Sequence, residues 1–143
     1  MAPSLMSEKQ HRKKAREAVL QALYAKHVSN EDEKKVLHDI NERYQFDEPT
    51  KNFVNELFHL TIKNQNILDD KIESSLENWT LERVNIIDRL IMQMSICEMS
   101  MMQDYDISHK VTISSAIENA KKFSSEDSTA FVNGILDSIH KTL

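Results

Sequence analysis

The chain has 143 residues, of which 40% are hydrophobic and 29% charged, and a formal net charge of −5. One glycine and two prolines fall far below the usual shares of about 7% and 5%. This argues against sandwiches, barrels and nucleotide-binding sheets, which depend on glycine turns or phosphate loops. The apolar content excludes a wholly disordered chain, and no run approaches eighteen apolar residues, so no membrane-spanning helix is expected. The single cysteine cannot close an internal disulfide, which fits a reducing compartment. No apolar run follows the N-terminal charges, so no signal peptide is expected. The composition predicts a soluble, cytoplasmic, all-α protein forming one domain over residues 1–143, with residues 1–6 as a loose tail.

Charge is unevenly spread. Six bases stand against two acids from Met1 to Val28, four against eight from Ser29 to Leu60, and eight against thirteen in the remainder. An acidic protein with one basic end has a polarised field. Such an end is either a solvated helix start or a contact for a polyanion, and five bases within Lys9–Arg16 favour the second.

Taken along the chain, Ser7 followed by Gln10 has the spacing of a capping box and opens a helix expected to reach about Val28. Ala15, Ala18, Val19, Ala22 and Leu23 form one apolar arc. Lys9, Arg12, Lys13 and Arg16 recur at i, i+3, i+4 and i+7, a basic stripe on another face. Leu20 and Tyr24 lie further along roughly that side, either buried by a second neighbour or exposed as a contact surface. Ser29 or Asn30 is the expected cap of a second, acidic helix ending near Tyr44. Gln45–Pro49 reads as a turn, with Pro49 suited to the first turn of the next helix. That apolar pattern runs from Phe53 to Leu76, with a break expected at Asn64–Asn66.

Thr80 is the expected cap of a helix from Leu81 to about Gln103, apolar over most of its circumference and therefore central. Its five methionines, from Met92 to Met102, read as core filling rather than a metal site. After an Asp104–Lys110 loop, Ile113, Ala116, Ile117, Ala120 and Phe123 form a helical stripe. Ser124 with Asp127 resembles a capping box for the last helix, which carries Val132, Ile135, Leu136 and Ile139. Phe131 sits off that stripe, one turn beyond Asp127 on the same side.

Catalytic signatures are sparse. The six histidines form no HxxxH or HxH pair and Cys97 stands alone, so a zinc site is not expected. With Gly134 as the sole glycine, neither a nucleophile elbow nor a phosphate loop can form. No enzyme activity, cofactor or metal is expected.

Four segments together resemble the NusB family of bacterial transcription antitermination factors. They are Arg12-Lys-Lys-Ala-Arg-Glu-Ala-Val-Leu-Gln-Ala-Leu-Tyr24, Trp79-Thr-Leu-Glu-Arg-Val-Asn-Ile-Ile-Asp-Arg89, Val111-Thr-Ile-Ser-Ser-Ala-Ile-Glu-Asn-Ala-Lys121, and Ser125-Glu-Asp-Ser-Thr-Ala-Phe-Val-Asn-Gly-Ile-Leu-Asp137. The last is the most specific, through its Phe-Val-Asn-Gly. The resemblance implies a compact seven-helix fold of two small bundles. It also implies binding of single-stranded boxA RNA from ribosomal-RNA operons, together with NusE, a small-subunit ribosomal protein. The pair would join RNA polymerase and other Nus factors to suppress premature termination. On the same resemblance Arg12, Lys13, Lys14 and Arg16 meet RNA, Asp127 and Phe131 border it, and Tyr24 and Glu98 lie towards NusE; Leu20, on the Tyr24 side of its helix, is a further candidate for the partner surface. Self-association to a homodimer through apolar surface near the first helix is a further expectation.

The chain departs from the family where Ile113-Ser114-Ser115-Ala116 replaces Ile-Asn-Glu-Ala and Met92-Gln93-Met94-Ser95 replaces Leu-Arg-x-Ala. Ser124 replaces a common glycine, and part of the arginine run is lysine, which lacks the guanidinium fork. The expected mechanism pairs phosphates with Arg12, Lys13 and Arg16 and stacks Phe131 on an unpaired base. The competing expectations are a protein-only adaptor, with the basic stripe serving solubility, and an RNA-recognition domain like those attached to ribosomal-RNA cytosine methyltransferases.

Overall fold

The structure, a computed structural model, describes residues 7–143. The expected tail, residues 1–6, lies outside the described residues. Seven α-helices follow in order: α1 (Glu8–Ser29), α2 (Glu33–Tyr44), α3 (Glu48–Lys63), α4 (Gln65–Ser74), α5 (Ile86–Met101), α6 (His109–Phe123) and α7 (Glu126–His140). Short 3-10 turns occupy Leu81–Arg83 and Gln103–Tyr105, and the described residues contain no strand.

Helix ends follow from local hydrogen bonding. The Ser7 hydroxyl accepts the Gln10 amide at 3.1 Å, and the Gln10 side-chain oxygen accepts the Ser7 amide at 2.9 Å, so the expected capping box is present. At the other end of α1, Asn30 adopts a left-handed φ of 55° and its amide reaches the Lys26 carbonyl. Asparagine tolerates that conformation better than most residues. Asn30 therefore closes α1, and Asp32, rather than Ser29 or Asn30, precedes the first turn of α2. Pro49 falls in the first turn of α3 as expected, where its missing N–H costs nothing. The break expected near Asn64–Asn66 falls at Asn64, whose side-chain amide donates to the Leu60 carbonyl at 2.8 Å.

Two further starts differ from expectation. Thr80 leads only into the 3-10 turn and makes no side-chain cap, and Val84 is extended at φ −73°, ψ 131°. Asn85 is the cap of α5, accepting the Ile87 amide at 2.8 Å. The cap of α7 is Ser125, which accepts the Ser128 amide, and not Ser124 with Asp127.

The chain divides within α3 into two compact units, one ending at Glu56 and the other running Leu57–Leu143. In the first, α1 packs on α2. The arc Ala15, Ala18, Val19, Ala22 and Leu23 is buried, as are Val36 and Ile40 of α2. Alanine leaves room for close helix approach, and an Arg43–Gln21 hydrogen bond of 3.2 Å joins the two helices at their rim. In the second unit α4, α6 and α7 surround α5. Met92, Met94, Met99 and Met102 are buried there, filling irregular gaps as flexible thioethers do. The stripe Val132, Ile135, Leu136 and Ile139 of α7 is buried as well.

Candidate functional site

The first unit carries the basic stripe, and its members differ in exposure. Lys9, Lys13 and Lys14 are exposed, Arg12 is half-buried, and Arg16 is buried at 5% exposure. The difference arises at Phe53, a fully buried ring of α3. The guanidinium carbon of Arg12 lies 4.4 Å from its centre and that of Arg16 5.7 Å. Weakly hydrated guanidinium planes settle on aromatic faces more readily than ammonium groups do. Arg12 also reaches Glu8 at 3.5 Å, and Lys14 reaches the buried Glu17 at 3.6 Å. The outcome is a lysine edge at the surface with an arginine layer beneath it. Arg16, expected at the phosphates, lies buried beneath that edge.

Beside this ridge Asp47 caps α3, accepting the Thr50 amide at 3.0 Å, and its other oxygen meets His11 Nδ1 at 3.1 Å. The Thr50 hydroxyl and amide, followed by the charge of His11, hold the Asp47 carboxyl below its ordinary range.

Further along α1, Leu20 is 2% exposed whereas Tyr24 and Val28 are exposed. The alternative left open for Leu20 thus resolves to burial: packed in the core, it presents no side-chain surface to a partner. Tyr24 does present one.

In the second unit Glu98 of α5 is 4% exposed and accepts the Thr112 hydroxyl at 2.5 Å. A buried carboxylate needs such a donor. The bond joins α5 to α6 and holds the Glu98 carboxylate within the packing of the second unit. Gln93, at one of the departures from the family pattern, is also buried. Its amide donates to Asp69 at 2.7 Å, and Arg89 grips the same carboxylate at 2.7 and 3.3 Å. The pair raises the Arg89 pKa, so the guanidinium is permanently charged.

Asp127 and Phe131, one turn apart on α7, share a cavity of about 290 Å³ with Trp79, Arg83, Asn85 and Asp88. Trp79 is 58% exposed and Asp127 is exposed, whereas Phe131 is half-buried. At the cavity, Asp88 in the first turn of α5 accepts the Ser128 hydroxyl at 2.7 Å. None of those four companions was singled out from the sequence as a site residue, although all lie in the Trp79–Arg89 segment that carries the family resemblance. The readable signal was the single tryptophan of the chain ahead of an Asn-x-x-Asp helix start.

Glu-x-x-His spacings occur twice, at Glu8–His11 and Glu56–His59. Among the described residues, however, no group of three or more His, Cys, Asp or Glu side chains is arranged to hold a metal ion. No helix among them is long and apolar enough to cross a membrane.

Seven helices, a cationic helix start and an aromatic slot define an all-α protein whose candidate sites are surface patches. The NusB family model matches residues 13–141. The transcription antitermination proteins NusB of Bacillus thuringiensis (strain Al Hakam) and Bacillus cereus (strain AH187) are each 39% identical over 132 residues, which is 92% of this chain and 98% of theirs. T. maritima NusB superposes with a TM-score of 0.83 at 34% identity, covering 91% of this chain and 90% of that one. A chain from the crystal structure of antitermination factors NusB and NusE in complex with dsRNA superposes with a TM-score of 0.83 over 93% of this chain and 98% of that one. Its 19% identity makes that a likeness of fold. The chain belongs to the NusB family.

Proposed function

We propose that this protein is a cytoplasmic, non-catalytic transcription antitermination factor acting as a single module over residues 1–143. In this reading it binds the boxA RNA of ribosomal-RNA operons together with NusE and helps RNA polymerase, with other Nus factors, pass premature termination sites. The observation that carries the reading is the cationic start of α1 in a member of the NusB family, its lysine edge exposed and its arginines laid on Phe53.

Lys13, Lys14 and Arg12 are the phosphate contacts, and Arg16 keeps the layer beneath them charged and rigid. About three contacts on a single strand give a log–log salt slope near −2. Asp127 and Phe131 form a second patch, in which an aromatic ring is available for stacking on an unpaired base. Tyr24, with Val28 one turn on, supplies the apolar surface for NusE, and it is the surface through which copies of the chain pair when NusE is absent. Glu98 maintains its neighbourhood through Thr112.

The test is transcription through a terminator on a boxA-bearing template, with NusE and the other Nus factors present. Added protein is expected to raise read-through, and the Lys13→Glu/Lys14→Glu variant to lose that effect. Equal read-through by both, or none by either, would count against the proposal. If read-through fails while NusE still binds, the exposed Tyr24 edge favours a protein-only adaptor.

A further inference from the structure

Two of the six histidines, 31 residues apart in sequence, are brought face to face by the fold of the second unit. His109 opens α6 and His140 closes α7. The two helices form a hairpin joined through Ser124 and Ser125, so the histidines meet at its open end. Their Nδ1 atoms lie 3.4 Å apart, and the rings stand edge to face at 88° with centres 5.5 Å apart. That separation is long for a hydrogen bond. Two imidazole nitrogens held at zinc bond lengths around one tetrahedral ion stand about 3.3–3.4 Å apart. The spacing therefore fits a shared ion better than a shared proton.

The surroundings supply a second feature of a ligating histidine. His140 Nε2 faces one oxygen of the Asp137 carboxylate at 3.6 Å, and Lys141 holds the other at 3.1 Å. A carboxylate behind the ring favours the proton on Nε2 and leaves Nδ1, the atom facing His109, with its lone pair. Both rings are partly exposed, so an ion can reach them from solvent.

We propose that His109 and His140 form a two-histidine site for Zn²⁺, with water completing the tetrahedron. Catalytic zinc sites have three protein ligands and structural ones four. Two ligands make an exchangeable site, consistent with the lack of any three-residue metal cluster among the described residues. A bound ion clips the last turn of α7 to the first turn of α6. The inference uses none of the residues assigned to RNA or to NusE and stands independently of that reading.

The experiment titrates the full chain with zinc chloride in a non-chelating buffer, by calorimetry and by thermal melts. The wild type is expected to bind Zn²⁺ at this pair and to melt higher with zinc than without, because an ion that binds only the folded state stabilises it. Mg²⁺, which prefers oxygen ligands, is expected to leave the melt unmoved. His109→Gln and His140→Gln are each expected to weaken zinc binding by roughly tenfold or more, at least the scale of losing an outer-shell partner, and to remove the rise in melting. Circular dichroism checks that each variant is folded. NMR of the histidine rings provides a second readout, in which zinc is expected to move the His109 and His140 signals. No zinc binding by the wild type, a melt that zinc leaves unchanged, or ring shifts confined to the other histidines would overturn the inference. So would zinc affinity that survives either substitution, since one imidazole would then suffice.

Discussion

The Arg12 guanidinium carbon lies 4.4 Å from the centre of the Phe53 ring, and the ring is fully buried. A charge on a flexible stem is thereby pinned at one place on α1, reducing the entropy it would lose on meeting a phosphate. Phe53→Leu keeps apolar volume but removes the aromatic face. It is expected to cost about 1–2 kcal/mol of stability, combining repacking with a partly desolvated cation–π contact, and to weaken RNA binding although the net charge is unchanged. Urea denaturation and RNA titration on the same preparation check both effects. Unchanged RNA affinity would show that Phe53 is only a packing residue.

Asp47 links the same region to pH. Its carboxyl is held below the ordinary range by Thr50 and then by His11. A group whose pKa is depressed by folding stabilises the fold above its unfolded value, and that stabilisation disappears as pH falls through the folded value. The wild type is therefore expected to melt higher than Asp47→Asn at pH 7. The gap should narrow as pH drops below about 4, the ordinary aspartate range. Asparagine also caps helices well, so the pH-dependent part of the gap isolates the charge. A gap that is constant from pH 7 to 3 would contradict this role.

Gly134 stands inside α7 at an exposed position, and a Cβ added there meets nothing within 4 Å. Its backbone φ is not positive. Neither packing nor backbone geometry in the isolated chain requires glycine, so Gly134→Ala is expected to stabilise the protein by about 0.5–1 kcal/mol. Thermal melts read the change directly. A loss of stability would mean that the helix interior is under a constraint the geometry does not contain.

The Asp69 carboxylate receives Arg89 at 2.7 and 3.3 Å and Gln93 at 2.7 Å, joining α4 to α5. Asp69→Ala leaves the buried Gln93 and the charged Arg89 short of an acceptor. The expected loss is about 1–2 kcal/mol, discounted from a fully buried pair because Arg89 is partly exposed. Arg89→Ala combined with Asp69→Ala should lose less than the sum of the single changes. Simple additivity in denaturant midpoints would show the contact to be decorative.

Much of the fold was legible because its signals are local. Ser7 with Gln10, Pro49, the Asn64 break and the 3.6-residue stripes on α6 and α7 all concern atoms a few bonds or one turn apart. Misplaced caps arose where two good capping residues stood close together. Asn30 had the side chain of a cap but was needed in the left-handed position, and Thr80 was displaced by Asn85 because the chain makes a 3-10 turn first. The candidate sites were less legible because exposure is a tertiary property. Arg16 and Arg12 share one helical stripe, yet Phe53, far along the chain, draws them inward to different depths. Glu98 looked like surface until Thr112, fourteen residues later, closed over it. Asp88 had no reason to stand out before Ser128 of α7 was seen to satisfy only one of its two oxygens.

The central claim, that the cationic start of α1 grips unpaired boxA RNA, is tested most directly by a salt titration of boxA against a base-shuffled RNA with NusE present. The account predicts tighter binding of boxA, a log–log salt slope near −2, and a slope about one to one and a half units shallower in Lys13→Glu/Lys14→Glu. Equal affinity for both RNAs, or a slope untouched by reversing those two charges, would contradict it.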